Sequence, residues 1–118
     1  MTVKAAATDL VRDYTSAAAA HGAASELGDY RRANRAHARL MAVLKKLRAQ
    51  DDHGTASLIS LADHPNRSVR CWAATHLLPL NEGVATEWLR QLGDERDLVG
   101  LAAERTLQEW RAGRLNPG

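Results

Sequence analysis

A helical period runs through this 118-residue chain almost from end to end, and it leaves little room for a sheet. Val3, Ala7, Leu10, Tyr14, Ala17 and His21 recur at alternating steps of three and four, which places them on one helix face. Ala33, Ala36, Leu40, Val43, Leu44 and Leu47 do the same further on. The apolar residues are 22 Ala and 16 Leu against 6 Val, 1 Ile and no Phe. Strands draw on β-branched and aromatic side chains, so a sandwich or barrel is excluded. One Cys excludes an intrachain disulfide.

Turn and cap residues divide the pattern into six helices. Thr2 is a candidate cap for the first, and Gly22 and Gly28 predict its end near residues 21–24, followed by a longer loop. Asp29 then caps a helix reaching about Ala49, which Asp51-Asp52-His53-Gly54 closes. A short helix is expected from Thr55 to Ala62. Asn66 follows the turn at Pro65 and caps a helix from Arg67 to Leu78, broken by Pro79. Asn81 and Asp97 cap the last two helices, and Gly93 and Gly113 end them. The whole reads as a single all-α domain over residues 1–118. The N-terminal alanine run is interrupted by Thr8-Asp9, so a signal peptide is not expected. No apolar run approaches the roughly 20 residues of a membrane helix. A cytoplasmic protein is the expectation.

A shift of 30 residues superimposes Leu58, Ile59 and Ala62 on Trp88, Leu89 and Leu92. It also superimposes Val69, Ala73 and Leu77 on Val99, Ala103 and Leu107. A short helix, a turn and a longer helix is the unit of an α-solenoid. Asp63-His64-Pro65-Asn66-Arg67-Ser68-Val69-Arg70, with Trp72-Ala73-Ala74 and Leu77-Leu78 after it, resembles a HEAT repeat. Adding Gly28-Asp29-Tyr30, Ala33-Asn34-Arg35, Glu109-Trp110 and Gly113, the chain resembles a family of small bacterial HEAT-like proteins of unknown function. The resemblance implies a HEAT-like α-α superhelix of about six helices in three antiparallel pairs. Similar small helical-repeat proteins stand beside bacterial toxins as immunity proteins, which supplies one expectation of function.

No residue pattern points to catalysis. His21, His37, His53, His64 and His76 form no metal-ligand spacing, so no metal site is expected. No Gly-rich phosphate loop is present, and no cofactor is expected. Cys71 lacks a nucleophile's context and reads as a packing residue, while Asp51-Asp52 and Asp94-Glu95 read as solvated turn acids. Trp72, Trp88 and Trp110 lie on apolar stripes, where core packing is expected.

Charge is the informative surface feature. The net charge is only +2, yet residues 30–49 hold seven basic groups and no acidic one. Arg31, Arg32, Arg35, Arg39, Lys45 and Lys46 fall within an arc of roughly 140° opposite the apolar face. Arg67 and Arg70, with Arg105, are expected to extend this strip. The partner-binding candidates are therefore Arg31, Arg32, Arg35, Arg39, Lys46, Arg67 and Arg70. They suit an acidic protein partner, most concretely a toxin occluded by an immunity protein. The alternatives are nucleic acid on the same face, or an adaptor role in a larger complex. A second candidate face is acidic: Glu82, Glu87, Asp94, Glu95, Asp97 and Glu104.

Overall fold

The computed structural model describes residues 3–117, with side chains from residue 7 onward. Thr2, the expected first cap, lies outside them. Six helices and no strand are present among the described residues: α1 (Val3–Glu26), α2 (Tyr30–Arg48), α3 (Thr55–Ile59), α4 (Arg67–Leu77), α5 (Glu82–Gly93) and α6 (Leu98–Arg111). They group into two compact units, Met1–Ser57 and Leu58–Gly118.

In the first unit, α1 and α2 form an antiparallel hairpin. The helix α1 continues through Gly22 and ends at Glu26, two residues beyond the expected range. One mid-helix glycine costs only about 1 kcal/mol, and tertiary packing along a 24-residue helix overrides that. The true stop is Gly28, at φ 69°. The Gly28 amide donates to the Ser25 carbonyl (3.1 Å) and the Asp29 amide to Ala24 (2.9 Å), which closes the last turn. Asp29 is at once the cap of α2, accepting from the Arg32 amide at 3.1 Å. The expected longer loop is therefore only Leu27-Gly28-Asp29.

The hairpin seam changes in size along its length. Near the turn, Ala17, Ala18 and Ala24 of α1 are buried with Ala33 and Ala36 of α2. Farther out, Tyr14 is buried with Leu40, Leu44 and Leu47. Asp52 caps α3, accepting from the amides of Gly54 (3.0 Å) and Ala56 (2.8 Å). The helix α3 ends at Ile59, three residues short of the expected end, and turns carry the chain to Asn66.

In the second unit, α4 packs on α5 and α6, and α5 on α6. Asn66, Asn81 and Asp97 cap these helices, as their sequence positions predict. The 30-residue correspondence holds best in α4 and α6: Ala73 with Ala103 and Leu77 with Leu107 are all buried. It is weaker in α3 and α5, where Ile59 is exposed and Leu89 buried. None of the three tryptophans is fully buried. The core place expected for Trp72 goes to His76, which is buried and stacks on the Trp72 ring at 5.3 Å. Trp110 lies near the surface, where its indole N–H donates to Glu82 at 2.6 Å.

Candidate functional site

The helix α2 carries its basic residues where the sequence places them. Arg31, Arg32, Arg35, Arg39, Lys45 and Lys46 are all exposed. Arg32 pairs with Asp29 at 3.5 Å, one turn back. Among the described residues, Arg31, Arg35, Arg39, Lys45 and Lys46 form no salt bridge. Four or more uncompensated cations on one helix face give a strongly positive local potential despite the small net charge.

This face borders a cleft of about 380 Å³ that lies within the first unit. One wall is Ala20, Ala23, Ala24 and Leu27 of α1; the other is Arg32, Arg35, Ala36 and Arg39 of α2. The cleft follows from the sequence. Where the helices meet near their turn, the facing residues are alanines, whose methyl groups fill little space. Long arginine stems then stand up along one side. Leu27 and Tyr30, each 77% exposed, flank the turn. Ala20, Ala23 and Leu27 were not singled out in the sequence. Their signal is a second apolar stripe on α1, at i, i+3 and i+7, offset from the buried one.

Two of the expected contact residues are committed elsewhere. Arg67 opens α4 and reaches α6: its guanidinium donates to both carboxylate oxygens of Asp97 (2.8 and 2.9 Å) and to the Leu92 carbonyl (3.1 Å). It also pairs with Glu95. With 22% of its side chain exposed, it ties α4 to the α5–α6 turn. Arg70 is half-buried, with its Nε shielded from solvent. Of the expected contact residues, Arg31, Arg32, Arg35, Arg39 and Lys46 of α2 are the exposed ones.

The acidic alternative is largely consumed inside the second unit. Glu95 and Asp97 hold Arg67, Glu87 holds Arg90 at 2.7 Å, and Glu82 accepts from Trp110. The Arg67 hydrogen bond, and then the Gly100 amide, hold the Asp97 carboxyl below its ordinary range. Potential catalytic groups also have structural duties. Burial pushes the Cys71 thiol up to about 11, which keeps it protonated at neutral pH. His64 accepts the Asn66 amide at 3.0 Å through Nδ1. Among the described residues, no group of three or more His, Cys, Asp or Glu side chains could hold a metal ion. Among the described residues, no helix is long and apolar enough to cross a membrane.

A family model described as a domain of unknown function (DUF2019) matches residues 8–110. The crystal structure of the protein RPA1889 from Rhodopseudomonas palustris CGA009 has a TM-score of 0.85 to this chain at 24% identity. The alignment covers 95% of this chain and 93% of that one, and the likeness is one of fold. No curated protein matches the sequence. The chain belongs to the DUF2019 family.

Proposed function

We propose that this DUF2019 member is a non-catalytic protein-binding module whose α2 face docks an acidic protein partner. The observation that carries this reading is the unneutralised array of Arg31, Arg35, Arg39, Lys45 and Lys46. A surface of this kind steers an acidic partner into place and fixes its register. Structural duties for Asp52, His64, Asp97 and Cys71 support a non-catalytic role. An immunity-type protein that occludes a toxin is the most concrete form, and an adaptor in a larger complex is the broader one. The same arginines also suit phosphates. The exposed apolar Leu27 and Tyr30 beside them favour a protein, since exposed large apolar groups mark protein contact surfaces.

The test is purification of the tagged protein from its native host at moderate salt, with and without nuclease. A stoichiometric protein should survive nuclease and be lost from Arg31→Glu/Arg35→Glu/Arg39→Glu, with no fall in that variant's Tm. Co-purifying nucleic acid that leaves with nuclease would make the ligand nucleic acid. A partner retained by the charge-reversed variant would remove α2 from the interface.

A further inference from the structure

We infer that the α1–α2 cleft receives an amphipathic helix of the partner, with carboxylates one turn apart and apolar side chains beside them. This rests on the reading that α2 docks an acidic protein, and it adds the shape of what is docked. Three features of the cleft select a helix. The wall residues repeat at i, i+3 and i+7 on both helices: Ala20, Ala23 and Leu27 on α1, and Arg32, Arg35 and Arg39 on α2. Each wall is therefore two helical turns long, about 10 Å, and matches the spacing of one face of a third helix. The alanine floor permits close backbone approach, as tight helix packing at roughly 8–10 Å between axes requires. The walls are helices whose interior backbone groups are bonded internally, so the cleft offers no sheet edge to an extended strand.

The charges select the partner's polar side. Guanidiniums at i, i+3 and i+7 meet carboxylates repeating at the same spacing, and a guanidinium binds a carboxylate through two parallel hydrogen bonds. Arg32 exchanges its exposed Asp29 pair for a partner carboxylate at little cost. Leu27, 77% exposed at the turn end of the cleft, gives the apolar side of the helix its anchor.

The probe is a capped, fluorescein-labelled peptide of roughly 15 residues, long enough to populate helix. It carries Glu at i, i+3 and i+7 with Leu at adjacent positions. Its controls have Gln for Glu, or a central Pro. Binding to the full chain is read by anisotropy at physiological salt and mapped by amide chemical shifts. The Glu peptide should bind, and both controls should weaken by about tenfold or more. Shifts should concentrate on Ala20, Ala23, Leu27, Arg35 and Arg39. Ala23→Trp fills the cleft from an exposed position and leaves every arginine in place; it should weaken binding by a similar factor. Ala20→Trp repeats the test one turn away, and far-UV circular dichroism verifies both folds. If both Trp variants bind the peptide like wild type while Arg35→Glu/Arg39→Glu loses it, the cleft inference is overturned and the basic-face reading stands. If the peptide fails to bind at about 1 mM and a nucleic-acid duplex binds instead, both are overturned.

Discussion

Asp97 gives the sharpest test of how the second unit is held together. Its carboxylate accepts the Gly100 amide at 2.7 Å, which caps α6, and also receives the Arg67 guanidinium from α4. Asp97→Ala removes both. Loss of a cap costs about 1 kcal/mol. The charge-assisted bonds add roughly 1 kcal/mol, after discounting for a carboxylate that is about half exposed. The sum, about 2 kcal/mol, lowers the Tm by roughly 8–16 °C for a unit of this size. Asp97→Asn keeps a competent cap and loses only the charge, so it should cost about half as much. Thermal and urea unfolding followed by circular dichroism read both variants. The pH dependence has a fixed sign. Arg67 holds the folded carboxyl below its ordinary value, so its stabilisation is complete above about pH 4 and is lost as pH falls through the folded pKa. The gap between wild type and Asp97→Asn should close in acid. An Asp97→Ala midpoint within about 2 °C of wild type would refute the clasp as a source of stability.

Other outcomes follow from single residues. Gly100→Ala should destabilise by about 2–3 kcal/mol, because its Cβ would overlap the Glu95 carbonyl; urea titration checks this. Cys71 should resist iodoacetamide at neutral pH in the native protein and react once urea unfolds it, since burial holds the thiol up near 11. His21 has a lowered pKa, through burial first and then through His37 nearby, so protonation favours the unfolded chain. Stability should fall as pH drops below about 6.5, and His21→Gln should flatten that slope; equal slopes would exclude His21 as its source. Arg31→Glu should raise the Tm of the isolated protein slightly while weakening the partner complex, measured by thermal melts and co-purification.

What the sequence made legible is what short-range chemistry decides. Asp29, Asn66, Asn81 and Asp97 cap helices because a side-chain oxygen reaches an amide three residues ahead. Gly28 and Gly113 end helices because their positive φ is easy only for glycine. Gly22 misled because its helix cost is small beside hairpin packing. The pairing of Arg67 was not legible because its partner lies 30 residues away, and helix periodicity carries no information at that distance. The arginines of α2 were visible as a face. The cleft beside them was not, because it depends on the register of α1 against α2 and on which alanines that register brings together.

The basic face also conflicts with the stability of its own helix. The first turn of α2 holds Arg31 and Arg32 and no acidic residue, at the end where the helix dipole favours negative charge. Arg31, Arg35 and Arg39 stand four apart, a spacing at which like charges repel by about 0.2–0.5 kcal/mol per pair. At three other places opposite charges are paired instead: Asp9 with Arg12, Glu87 with Arg90, and Glu109 with Arg114. Selection for a stable hairpin alone would favour acids at these α2 positions, as at Asp29 two residues before Arg31. Local rules are broken where function asks for it, and here the breach coincides with the cleft and with exposed Leu27. The stabilisation expected of Arg31→Glu measures what the free protein concedes, and the acidic helix proposed for the cleft would supply the negative charge that the chain withholds.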